Sequence, residues 1–271
     1  MPARRLDRIP GFSRPAFPTF LLALGMLVSM GAREARALMV DFESLTHGEV
    51  AIGSLSGVDI QALNPNRSFD LAVGFDTTQT GTADLDLQAS PTGNAWSGGN
   101  LAGEALGLIL ILQENDSGCS TGICSSPDDE GRRPAGELRF AFDTPVLDFG
   151  FDLVDIESLG SEEAFIVLFD GETSATVGLL EFLDPNSDRY DPTIVLGNNT
   201  ANRYAPITAE SVGLSKIDAA TIRLGGSGGV DNLNGTVVPE PTTALLLGLG
   251  LAGIAGAGRR LRREEDPAEA R

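Results

Sequence analysis

Histidine, lysine and tryptophan occur once each in the 271 residues, as His47, Lys216 and Trp96, and cysteine and tyrosine only twice. No third or fourth soft ligand lies near Cys119 and Cys124, so the thiols do not form a zinc-type centre. A nucleophilic mechanism would have to find its base in His47, Lys216 or a carboxylate. Positive charge is also scarce: 19 Lys and Arg stand against 38 Asp and Glu, a formal net charge of −19. Nucleic acid and anionic lipid would be repelled by such a chain and are not expected partners. Within the body of the chain no amphipathic helical period is found.

The long apolar runs lie at the two ends. Arg4, Arg5, Arg8 and Arg14 precede an apolar stretch, Phe17 to Met30, and Ala35-Arg36-Ala37 offers the small-x-small pattern that a signal peptidase accepts. Residues 1–37 therefore read as a signal peptide, cleaved after Ala37, with an uncleaved anchor as the alternative. At the other end Thr242 to Gly258 carries no charge. As a helix it would extend about 26 Å, enough for a thin bilayer. Pro239 and Pro241 bar helix before it, and Arg259, Arg260, Arg262 and Arg263 place its far end on the cytoplasmic side. The bulk of the chain then lies on the periplasmic side, anchored in the inner membrane.

The order Val238-Pro239-Glu240-Pro241, a Leu- and Gly-rich apolar helix, and a terminal arginine cluster resembles the PEP-CTERM sorting signal. The resemblance spans residues 238–263 and leaves a short acidic tail, 264–271, that departs from the family pattern. It implies processing near Pro239-Glu240-Pro241 by an exosortase, and a destination at the cell surface or in an exopolysaccharide matrix. A plain C-terminal anchor predicts the same topology without cleavage.

The remaining 200 residues, 38–237, hold 31 acidic and 8 basic side chains, a net charge near −23. Gly, Asp, Asn, Ser and Thr are abundant, as in short strands joined by turns. Apolar residues alternate along Val58–Ala62, Leu71–Asp76 and Leu138–Asp143, each a strand with one buried face. From Phe149 to Glu157 the apolar phase slips between Leu153 and Val154, which predicts a β-bulge. Leu106–Leu112 and Phe165–Phe169 are apolar in both phases and predict strands covered on both sides. About ten such segments make an all-β domain, a β-sandwich of jelly-roll type, with a β-barrel second. The first and last strands loosely resemble those of carbohydrate-binding-module-like jelly rolls.

Four groups of residues bear on chemistry. Asp41, Glu43, Asp231 and Asn232 would meet if the terminal strands pair, and their hard oxygens suit a structural calcium ion, unless they form a solvated polar face. Cys119 and Cys124 are expected to form a disulfide after export, in a long loop whose Asp116, Asp128, Asp129 and Glu130 are read as solvated rather than as calcium ligands. Gly225-Gly-Ser227-Gly-Gly229 matches a nucleophile-elbow pattern without the helix that motif needs, so it is read as a flexible turn. Trp96 is the candidate stacking platform for a glycan, with a core position as its alternative. No carboxylate pair stands out as catalytic, so the chain is read as a non-enzymatic surface protein that associates with exopolysaccharide. A purely structural protein is the alternative and a secreted hydrolase the third reading.

Overall fold

The computed structural model describes residues 36–82, 84–89, 96–157 and 164–238. Residues 1–35 of the expected signal peptide, with Ala35, and the tail with Pro239, Glu240, Pro241 and the four arginines lie outside these residues, whereas Ala37 is described and opens the first strand. Among the described residues no helix is long and apolar enough to cross a membrane.

The described residues form an all-β sandwich of two sheets. In chain order the strands are β1 (Ala37–Val40), β2 (Gly53–Leu55), β3 (Val58–Leu63), β4 (Ala72–Asp76), β5 (Leu108–Leu112), β6 (Gly136–Val146), β7 (Asp148–Val154), β8 (Phe165–Asp170), β9 (Thr173–Gly178), β10 (Ala201–Thr208), β11 (Ile217–Leu224) and β12 (Gly229–Thr236). One sheet has the order β10-β7-β12-β5-β4, and β1 pairs with β12 beyond the end of β5. The other runs β2-β3-β6-β11-β8-β9. All these ladders are antiparallel. The terminal strands do pair: Ala37 lies opposite Thr236 and Val40 opposite Leu233.

Strict alternation decides which side chains enter the space between the sheets. Val58 and Ile60 of β3, Leu138 and Phe140 of β6, Ile166 and Leu168 of β8, and Ile222 of β11 meet Leu110, Leu112, Phe149, Phe151 and Val230 from the facing sheet. The opposite phase of β5 is also buried. Ile109 and Ile111 join Val73, Phe75 and Val154 in a second cluster, roofed by Leu87, Trp96, Leu101, Leu106 and Cys124 from loops. β5 is thus covered on both sides. β8 is not: Phe165 and Phe169 are only partly buried, on a face where Arg223 and Arg139 lie over their rings at 5.3 and 5.2 Å. Guanidinium groups cover this face where a second apolar layer was expected.

The phase slip read at Leu153 and Val154 has a different origin from a bulge. β7 keeps register with β10 through both residues, Asn202 opposite Leu153 and Ala201 opposite Val154. The strand then ends, and Asp155, at φ +59°, turns the chain so that Ile156 returns to the inter-sheet core. The ladder irregularities sit in the partners, between Tyr204 and Ile207 of β10 and between Asp231 and Asn234 of β12, where Asn232 adopts φ +49°.

Candidate functional site: a buried carboxylate cluster

At one end of the first sheet β5 and β7 finish and β10 and β12 begin, since Val154 lies opposite both Ala201 and Gly229, and Gly229 opposite Ile111. The β5–β6, β7–β8 and β11–β12 connections at this end and the β4–β5 connection, which leaves the opposite end at Asp76, together bring six carboxylates close. Asp84, Asp128 and Asp129 offer oxygens within 4.8 Å of one another, as do Asp86, Asp155 and Glu157. Asp84, Asp129 and Asp155 are buried.

The polar frame around them is specific. Ser227 Oγ lies 2.7 Å from both Asp129 Oδ2 and Asp155 Oδ2, joining the two groups. The Gly228 amide donates to Asp129, and the Asn199 amide to Asp155. Gly228 has φ +146°, and a Cβ there would stand 2.7 Å from Ile156 Cδ1 and 2.9 Å from the Val154 carbonyl, so only glycine brings this amide to Asp129. Asn199 Nδ2 holds the backbone of the Asp86 segment through the carbonyls of Asp86 and Gln88, at 2.7 and 2.9 Å. Gln113, fully buried, ties the Asp128 segment to β5 by accepting from the Asp128 amide at 3.1 Å and donating to the Ser126 carbonyl at 3.0 Å.

Among the described residues no arginine or lysine enters the buried part of the cluster. Arg133 reaches only the outer Glu157, at 3.6 Å, with half its side chain in water. Arg67 is already engaged by Glu114 and Glu130. Burial therefore raises Asp155 to about 7, against the opposing hydrogen bonds from Ser227 and Asn199. Burial also raises Asp84, where the neighbouring Asp86 and Asp129 add to the effect, and raises Asp129 despite its bonds to Ser227 and Gly228. Glu130, next in sequence, goes the other way. Burial would lift it, but Arg67, Asn64 and the Arg132 amide together hold it below the usual range.

The loop read as solvated is folded down. Cys119 and Cys124 form a disulfide, Cys124 is buried against the second apolar cluster, and the Cys124 amide donates to the Gly48 carbonyl at 2.7 Å. Asp129 and Glu130 are buried, which corrects the expectation that they face water. Ser227 belongs to the wall of the cluster and not to a free turn. Trp96 is only 3% exposed and donates its indole N–H to the Glu104 carbonyl at 3.2 Å. It has no free face for a sugar ring, because it roofs the second cluster.

The strand-end residues Asp41, Glu43, Asp231 and Asn232 are placed as follows. Asp41 accepts from the Glu43 amide at 3.3 Å, and Glu43 accepts from the Leu108 amide at 2.8 Å. Asp231 accepts from its neighbour Asn232, whose side chain also donates to Asp152 at 2.8 Å. Asp231 is raised to about 9, by burial first and then by the charges of Asp152, Glu43 and Asp41. The four residues are neighbours, each with local hydrogen-bonding work.

The cluster was hard to read because each contribution is a short acidic pair at a strand end or in a loop: Asp84-Leu-Asp86, Asp128-Asp129 and Asp155-Ile-Glu157. The signal available was the recurrence of three such pairs in a chain whose basic residues are few.

A second feature is a groove of about 400 Å³ beside β10, lined among others by Asp188, Arg189, Tyr190, Pro206 and Thr208. Tyr190 is 42% exposed, and Arg189 is braced by Glu181 at 2.9 Å.

Beyond the sandwich, residues 237–263 match the family model described as the PEP-CTERM protein-sorting motif. The chain carries a PEP-CTERM sorting tail. This motif indicates export and membrane-anchored sorting and implies processing by an exosortase. No curated protein matches the chain.

Proposed function

We infer that the protein is an exported surface or matrix component whose sandwich, of jelly-roll type, associates non-catalytically with exopolysaccharide. A signal peptidase removes residues 1–37, the tail holds the domain on the periplasmic side of the inner membrane, and an exosortase then releases it to the surface or matrix. The observation that carries the glycan reading is the groove at Tyr190. An exposed aromatic ring there is flanked by Arg189 and Asp188, the pairing of apolar face and polar rim that suits a sugar ring. The acidity of the domain favours a neutral glycan over an anionic one.

The test is co-sedimentation of the full chain with exopolysaccharide from the source organism, alongside Tyr190→Ala. Retention that falls several-fold in the variant, with unchanged thermal stability, supports the reading. Absence of wild-type retention overturns it and leaves a structural envelope protein without a ligand site.

A further inference from the structure

We propose that the carboxylate cluster at the end of the first sheet is a calcium site that pins together the connections leaving β4, β5, β7 and β11. It shares no residue with the Tyr190 groove and stands independently of glycan binding.

Donor counting carries the argument beyond acidity. Asp129 is 6% exposed, and its Oδ2 receives the Gly228 amide and lies at the Ser227 hydroxyl, whereas no N–H or hydroxyl of the described residues donates to its Oδ1, and its carboxyl is in contact with that of Asp84. That oxygen belongs to a carboxylate converging with Asp84 and Asp128. Ser227 adds a second deficit. A hydroxyl has one proton, so with both carboxyls ionised it can donate to Asp129 or to fully buried Asp155 but not to both, and the other oxygen then faces it at 2.7 Å without a proton between them. Among the described residues Asp84 has as donors only the Leu87 amide at 3.2 Å and the Asp129 amide at 3.4 Å. Buried carboxylates short of donors need a cation or a proton. The donor set is oxygen only, carboxylates with a serine hydroxyl and asparagine amides at hand, which selects a hard divalent ion. Loop-borne ligands of irregular spacing suit calcium, with its larger and more variable coordination shell, over magnesium, which demands a near-ideal octahedron.

The experiment uses the full chain in detergent, stripped with chelator and then titrated with calcium chloride, and with magnesium chloride in parallel. Calcium about a hundredfold over its Kd should raise Tm by roughly 5–10 °C, and magnesium by much less. The double variant Asp129→Asn, Asp155→Asn should lose the calcium shift. Without metal it should melt at or above the stripped wild type, because two uncompensated buried charges are gone, which separates loss of binding from loss of fold. A second variant, Asp86→Asn, which is less buried, should weaken calcium binding at least tenfold and leave the metal-free Tm unchanged. The proposal is overturned if millimolar calcium neither binds nor stabilises the wild type, or if the double variant binds calcium as the wild type does. In that case the cluster is held by protons.

Discussion

Arg203 and Asp152 face each other across β10 and β7 in a forked pair, Nε to Oδ1 at 2.9 Å and Nη2 to Oδ2 at 2.8 Å. The Asp152 side chain is fully buried, and about half of the Arg203 side chain is in water. Asp152 also lies opposite Asp231 on β12, so a single cation serves two buried acids in a row across three strands. Removing it by Arg203→Ala leaves the buried Asp152 charge without its cation. The expected loss is about 1–3 kcal/mol, less than for a fully buried pair because water reaches the arginine. Urea unfolding at neutral pH measures it, and Asp152→Asn added to Arg203→Ala should restore part of the loss.

Asp231 gives the fold a pH dependence of defined sign. Its folded value, about 9, lies above the unfolded value near 3.8, so the native state holds more protons through that window. Stability is then full below about pH 4 and falls as pH rises towards 9. Asp152, Asp41 and Glu43 reinforce the shift, and Arg203 opposes it by attracting the ionised form. In chelator, Tm should decline from pH 5 to pH 8.5, and Asp231→Asn should make that decline shallower, the remainder belonging to Asp84, Asp129 and Asp155, which burial also raises. An unchanged slope in the variant would show that Asp231 does not titrate in this window.

Tyr204 packs against Phe151 and Phe182, at ring centroid distances of 5.1 and 4.9 Å, with its hydroxyl buried and without a partner. A buried hydroxyl without a hydrogen bond costs free energy that the aromatic contacts offset. Tyr204→Phe should therefore stabilise the domain by about 1 kcal/mol, seen as a higher urea midpoint at unchanged slope.

Trp96 and Tyr190 should behave in opposite ways. Trp96→Ala opens a hole under the roof of the second cluster and should cost about 3–5 kcal/mol. Tyr190→Ala, at an exposed position, should leave stability within about 0.5 kcal/mol. Since Trp96 is the only tryptophan, its fluorescence should be blue-shifted in the native wild type and move to the red on unfolding.

Strand positions were largely legible because alternation is a local signal. β3, β4 and β6 follow from the spacing of Val58, Ile60, Val73, Phe75, Leu138 and Phe140. Legibility failed where two neighbours share a burden. Phe165 and Phe169 looked like a second core face because the arginines over them come from β11 and β6, 58 and 30 residues away in sequence. Trp96 looked available because nothing in its glycine-rich surroundings announces that the segment folds over Ile109 and Ile111.

The sequence by itself determined the address, the strand content and the excess of acid, since a sorting tail, a period of two and a charge balance are all contained in short stretches or in composition. Tertiary structure decided which acids matter. Asp84, Asp129, Asp155 and Ser227 are up to 143 residues apart in the chain and meet only because β5, β7 and β12 end or begin at the same edge of one sheet. Convergence of like charges costs free energy at each local step, so no local preference could have revealed it. The packing of the two apolar clusters outweighs that cost and holds the carboxylates together.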